Sequence, residues 1–260
     1  MNFVESGIFF TEAFEEVIEF KVPLKNLKFH ANSIKFREVK TMETDISKEE
    51  LARLIDHTFL KPEGTYADIL KLCNEAKEYK FYSVCINPVY VKFAKENLKD
   101  SGVKVVSVSG FPLGANETSI KIAEAEHAVR EGADEIDMVM NIGFLKSKEF
   151  KKVEQDVRDV VTAISPKVVK VIIETCLLSE QEKVIAATIA ISAGAHFVKT
   201  STGFNKSGAT VEDVALIRSV IGPGYGVKAA GGIADYETAV KIVLAGATRI
   251  GASRSIDIVR

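Results

Sequence analysis

Two lysines and one aspartate stand where ionisable side chains can do chemistry. Lys199 closes the run Ala195-His196-Phe197-Val198-Lys199 and opens onto Thr200-Ser201-Thr202-Gly203. An amine with apolar residues behind it and hydroxyls ahead is partly desolvated yet reachable by a ligand. Desolvation disfavours the ammonium form, and the free amine is the nucleophile that condenses with a carbonyl to a Schiff base. Alone, Lys199 reads better as a lysine snorkelling at a strand end. Lys228 reverses that reading, because it lies one strand further on, in Gly226-Val227-Lys228-Ala229-Ala230-Gly231-Gly232. Two charged amines on neighbouring inward-facing strands repel, which pushes the pKa of at least one toward the value of about 7–8 that catalytic lysines use. Asp137 lies mid-strand in Ala133-Asp134-Glu135-Ile136-Asp137-Met138-Val139. A buried aspartate wants a basic partner, and the inward lysines are available, so Asp137 can also shuttle protons through the carbinolamine steps. Lys170 and Glu174 share a strand face by period-two spacing and are expected to form a buried ion pair supporting the site. Thr200 and Thr202 are expected to lend supporting hydroxyls.

A second group of residues suits a phosphate. Gly231-Gly232-Ile233 follows the seventh strand-like run, and Gly251-Ala252-Ser253-Arg254-Ser255 follows the eighth. In barrels of alternating strands and helices, phosphates often bind there on backbone N–H groups and a short helix N-terminus. Gly203, after the sixth run, can add a further N–H.

These residues need a scaffold of repeating elements. From residue 46 apolar, β-branched runs recur: 56–60, 82–86, 104–108, 135–140, 168–174, 196–199, 226–230 and 249–251. Such runs suit buried parallel strands. Between them lie helical patterns, at 66–79 with Ile69, Leu70, Leu72 and Ala76 inward, then at 119–131, 148–164, 179–193, 211–221 and 236–244. Ser47 with Glu50 forms a capping box for a further helix whose apolar face is Leu51, Leu54 and Ile55. The pairs Gly132-Ala133, Gly194-Ala195 and Gly246-Ala247 stop helices just before strands. Eight strand–helix units predict an α/β fold, a (β/α)8 TIM barrel over residues 46–260. A doubly wound open sheet is the runner-up, weakened because no GxGxxG turn follows the first strand. Residues 1–45 read as an N-terminal extension with a short amphipathic helix of Phe9, Phe10, Phe14, Ile18 and Phe20, broken at Pro23.

The length of 260 residues suits such a barrel, which typically needs about 250. A formal net charge of −2 gives no hint of a nucleic-acid or membrane-surface partner. Cys73, Cys85 and Cys176 form no CxxC pair, and their odd number argues against a disulfide framework. No early basic region leads an apolar run, and no apolar stretch approaches the roughly 20 residues of a membrane span. A reducing cytoplasm is the expected location. Cys85 is expected to be a packed core thiol that aldehydes could modify if exposed. His57, His127 and His196 have no ligand-like spacing and are assigned structural roles, while His30 is uninformative.

Taken together, Val198–Gly203, Val227–Ile233, Gly132–Asp137, Ile55–Thr58, Gly110–Gly114 and Val171–Thr175 resemble, in order and spacing, the signature segments of the deoxyribose-phosphate aldolase family of class I aldolases. The resemblance runs from about residue 46 to 255. It implies that Lys199 forms the Schiff base, that Asp137 and Lys228 are proton-relay partners, and that Lys228 depresses the pKa of Lys199. It also implies that Gly203, Gly231, Gly232 and Ser253 line the phosphate site. The implied reaction is reversible cleavage of 2-deoxy-D-ribose 5-phosphate to acetaldehyde and D-glyceraldehyde 3-phosphate. No metal or organic cofactor is expected, because the iminium is the electron sink. Phe204 departs from the lysine that some members carry there, leaving Lys206 and Arg254 as nearby cations. A sugar-phosphate substrate and a homodimer are the expected partners, with no nucleic acid and no membrane. Two other classes stay open: a metal-dependent barrel lyase or isomerase with Asp137 and Glu174 as ligands, and a non-enzymatic sugar-phosphate sensor.

Overall fold

The computed structural model describes residues 46–260; the expected N-terminal helix and His30 lie outside the described residues. Eight parallel strands close into a barrel: β1 Ile55–Phe59, β2 Ser83–Ile86, β3 Lys104–Ser109, β4 Glu135–Val139, β5 Val168–Ile172, β6 Phe197–Lys199, β7 Gly226–Ala230 and β8 Arg249–Ala252. β8 pairs with β1, with Asp56 opposite Gly251, so no sheet edge remains. The helices around it are α1 Lys48–Ala52, α2 Tyr66–Glu78, α3 Val91–Asn97, α4 Thr118–Arg130, α5 Ile142–Lys146, α6 Phe150–Ala163, α7 Glu180–Ser192, α8 Val211–Ile221, α9 Tyr236–Leu244 and α10 Ser255–Val259.

Local chemistry sets these boundaries. Ser47–Glu50 forms the expected capping box, and Thr65–Asp68 and Ser179–Glu182 form two more. After α4, α7 and α9 the three Gly-Ala pairs close the helix in one way: Ala133, Ala195 and Ala247 donate to carbonyls five residues back, at 2.9, 3.1 and 3.2 Å.

Four expectations need correcting. Leu70 is 39% exposed, because the inward stripe of α2 runs Ile69, Leu72, Cys73 and Ala76, and Leu70 lies off it. Ile55 belongs to β1 rather than to the apolar face of α1. The helix expected over 148–164 begins at Phe150, because Lys148 has φ +59; the separate helix α5 precedes it, capped by Asn141 Oδ1 on the Phe144 N–H. The fifth strand ends at Ile172 rather than Glu174, whose backbone is left-handed at φ +50.

Outward-facing strand residues such as Val105, Val169, Val198 and Ile250 pack with the helices into one large core. The barrel interior is divided. Leu60, Cys85, Val106 and Val108 make a small apolar cluster near β2 and β3, joined by Phe111. The β4-to-β8 side, with β1, is filled by charge.

Candidate active site

Asp137 is the hub of that charge. Its Oδ1 accepts from Lys170 Nζ at 2.8 Å, and its Oδ2 accepts from Lys199 Nζ at 2.8 Å and Lys228 Nζ at 2.7 Å. The register makes this possible: Asp137 is opposite Lys170, and Lys199 is opposite Lys228. Around the hub, Lys228 Nζ lies 2.5 Å from Asp56 Oδ2, and Lys170 Nζ lies 2.7 Å from Glu135 Oε2. Arg249 Nη1 donates to both Asp56 at 2.9 Å and Glu135 at 3.0 Å. All seven groups are buried.

Burial alone would raise the carboxyl pKa values. For Asp137 the charges of Lys170, Lys199 and Lys228 outweigh it and hold the group well below the usual carboxylate range. Asp56 is lowered likewise, burial being overcome by Lys228, Lys170 and Arg249. Lys228 is shifted upward. Burial disfavours its ammonium, but Asp137 and Asp56 raise its pKa above the ordinary lysine value. Two amines meeting across a carboxylate do not repel as two bare amines would.

A cavity of about 730 Å³ opens over the C-terminal ends of the strands. Lys199 reaches its wall, and so do Thr202, Gly203, Gly231, Gly232 and Ser253. Lys170 and Lys228 are sealed beneath at 0% exposure. Among the described residues, the backbone N–H groups of Gly203, Gly231, Gly232 and Ser253 have no acceptor. Gly231 (φ +87) packs against Gly208, where a Cβ would meet the Gly208 Cα at 2.9 Å. Free N–H groups at the end of successive strands suit an anion with several oxygens. Thr200 fastens this rim: its Oγ1 donates to the Ala230 carbonyl at 3.3 Å and accepts the Ala230 N–H at 3.1 Å.

A family model described as "DeoC/LacD family aldolase" matches residues 43–256. The chain belongs to the DeoC/LacD aldolase family. It is 58% identical over 215 residues to a Clostridium kluyveri protein named deoxyribose-phosphate aldolase, covering 82% of this chain and 99% of that one. A Thermotoga maritima protein of the same name is 51% identical over 244 residues, covering 94% and 97%. Among solved structures, the deoxyribose phosphate aldolase of Aeropyrum pernix, described as tetrameric, superposes with a TM-score of 0.77 at 36% identity, covering 82% of this chain and 91% of that one.

Other candidates fall differently in this aldolase. Lys170 does not pair with Glu174: it pairs with Asp137 and Glu135, while Glu174 accepts from Thr202. Asp137 faces three lysine nitrogens, the opposite of a metal-ligand environment. Arg254 lines the cavity and pairs with Asp257 at 2.7 Å, whereas Lys206 is exposed and outside it. Phe204, half exposed, meets Phe111 edge-to-face at 5.3 Å between centroids. Cys85 is fully buried and burial raises its thiol pKa, in keeping with a packed core thiol. His57 bridges Ser255 and Glu75, each at 2.9 Å, and ties β1 to α10 and α2. Asp56, Glu135 and Arg249 were not singled out by sequence reasoning. Period-two spacing from Asp137 would have found Glu135, and the same test along β1 puts Asp56 on the face of Thr58.

Proposed function

We propose that the protein is a class I aldolase that reversibly cleaves 2-deoxy-D-ribose 5-phosphate to acetaldehyde and D-glyceraldehyde 3-phosphate. The observation that carries this reading is that Lys199 alone, of the three lysines on Asp137, opens onto the cavity. As a free amine, Lys199 adds to the C1 aldehyde of the open-chain sugar, and loss of water leaves an iminium. The C3 hydroxyl then gives up its proton, the C2–C3 bond breaks, and its electron pair flows to the iminium as an enamine. Glyceraldehyde 3-phosphate leaves. Protonation of the enamine at C2 and hydrolysis release acetaldehyde and restore the amine. Asp137 and Lys228 relay protons through these steps, since both lie within one hydrogen bond of the Lys199 nitrogen or its carboxylate partner. The four free N–H groups at the cavity wall hold the phosphate and so place C1 over Lys199. No metal or organic cofactor enters the scheme.

Borohydride added with acetaldehyde tests the reading. Reduction should fix an ethyl group on Lys199, located by mass mapping, and Lys199→Leu protein should fold but neither trap nor cleave. Label on another residue, or normal cleavage by Lys199→Leu, sinks it.

The reading extends to a cytoplasmic homodimer. Three free cysteines speak for a reducing compartment, and the tetrameric Aeropyrum relative speaks for self-association. Among the described residues, no helix is long and apolar enough to cross a membrane. We assign residues 1–45 to the subunit contact. Size-exclusion chromatography of a protein lacking them should show a smaller species; an unchanged oligomer removes that role.

A further inference from the structure

Four non-glycine residues among those described have positive φ: Lys80, Asp100, Lys148 and Glu174. The first three are exposed turn residues. Glu174 is 3% exposed and sits beyond the end of β5 with φ +50 and ψ +67. A left-handed backbone at a buried glutamate is unfavourable and persists only where the surroundings impose it. Glu174 has no cation within ion-pair distance among the described residues, so charge pairing does not explain it either. Its partners are a long contact from the Cys176 thiol, 3.9 Å from Oε1, and Thr202: Glu174 Oε2 accepts from Thr202 Oγ1 at 2.5 Å, and the backbone N–H of Thr202 lies 3.3 Å from Oε1. The Thr202 hydroxyl in turn accepts the Phe204 N–H at 3.1 Å. The carboxylate therefore grips Thr202, whose hydroxyl in turn holds Phe204 on the other side of Gly203. On the chain's own side it is fixed by Thr175, whose N–H donates to the Thr200 carbonyl at 2.9 Å.

We propose that Glu174 is a positioning residue for the phosphate end of the cavity, its carboxylate holding Thr202, and through the Thr202 hydroxyl Phe204, so that the free N–H of Gly203 faces the bound phosphate. This rests on the phosphate-binding reading above. The left-handed turn carries the side chain off the inward face that period two would give it and across to the loop after β6. A direct lysine contact would add charge to the phosphate site. A carboxylate used at one remove shapes the site without placing a negative group on the anion. Glu174 thus tunes recognition of the phosphate and leaves the chemistry at C1 alone.

Glu174→Asn tests this, because asparagine tolerates left-handed backbone but is too short to reach Thr202. In the full-length protein the variant should raise KM for 2-deoxyribose 5-phosphate about tenfold, with kcat and the cleavage of unphosphorylated 2-deoxyribose within about threefold of the parent. The dissociation constant for inorganic phosphate, measured by calorimetry, should rise in parallel. That measurement needs no turnover, so it separates failure of this role from failure of the aldolase reading. Thr202→Val, which leaves residue 174 unaltered, should give the same split and serves where Glu174→Asn does not fold. Equal losses on both sugars, or unchanged phosphate affinity in a folded variant, overturn the proposal.

Discussion

Asp137, Asp56 and Glu135 share the inside of the barrel with Lys170, Lys199, Lys228 and Arg249: three anions against four cations, all 6% exposed or less. One unbalanced positive charge in a dry interior costs several kcal/mol. Lys170 faces three carboxylates within 4.0 Å and Lys228 faces two, while Lys199 faces one and touches the cavity. Of these four cations, Lys199 is the one that meets the cavity. Lys228→Met leaves three cations against three anions and removes that excess. We expect kcat/KM at neutral pH to drop by about 100-fold or more, because the proton relay loses the amine bonded to Asp137. Steady-state kinetics of a folded variant within about tenfold of the parent would refute that role. Lys199, Lys228, Asp137 and Lys170 were legible in the sequence because each interrupts a β-branched run. Arg249 opens its strand, where a sequence cannot tell barrel interior from solvent, and Glu135 is reached only by stepping two residues back from Asp137. Glu174 was legible as a buried acid but not in its partner, because nothing in Ile173-Glu174-Thr175 announces a left-handed turn.

The elements hold the site through buried polar contacts as well as apolar ones. Lys121 of α4 is 0% exposed; its amine donates to Asp156 of α6 at 2.6 Å and to the Val139 carbonyl at the end of β4 at 3.1 Å. Asp156 also accepts from Thr118 at 2.8 Å. Lys121→Met strands that carboxylate, which costs about 3–5 kcal/mol and in a domain of this size lowers Tm by roughly 10 °C. The site itself is untouched, so kcat at 25 °C should stay within about threefold. Lys121→Met with Asp156→Leu should recover most of the stability, because no charge is then left unpaired. A double variant no more stable than the single one argues against the pair as the cause; thermal melts by circular dichroism decide it. Strand order and the spacing of helices were legible, since period-two and period-3.6 patterns are local. The breaks were not: α3, α5 and α10 are short, and Lys121 in the helical run after the third strand looks like any surface lysine. Its burial follows from what α6 and β4 place beside it.

At the scale of the barrel, the interior charges make folding depend on pH with a sign that can be worked out. The carboxyls of Asp56, Glu135 and Asp137 titrate below their ordinary range in the fold, because neighbouring cations outweigh burial. Their contribution to stability is complete above the unfolded carboxyl range of about 4 and is lost as pH falls below it toward the folded values. Lys170, Lys228 and Arg249 are raised in the fold, so they add stability at neutral pH and lose it only above their ordinary range. Tm should therefore be highest near pH 7 to 8, sag below about pH 6.5 because burial holds the His57 ring below the ordinary imidazole value, and fall steeply below about pH 4. Arg249→Met sharpens the test, since it removes the cation bonded to both Asp56 and Glu135. Those two carboxyls should then titrate nearer their ordinary values, so the midpoint of acid unfolding at 25 °C moves to higher pH. Arg249 also lies over the Tyr82 ring, 3.5 Å from its centroid, so the variant loses packing at every pH. Only a change in the slope of stability against pH, rather than a uniform loss, reports on the charges. Parallel stability curves for the two proteins between pH 7 and pH 3 would show that the interior ion cluster does not set acid sensitivity.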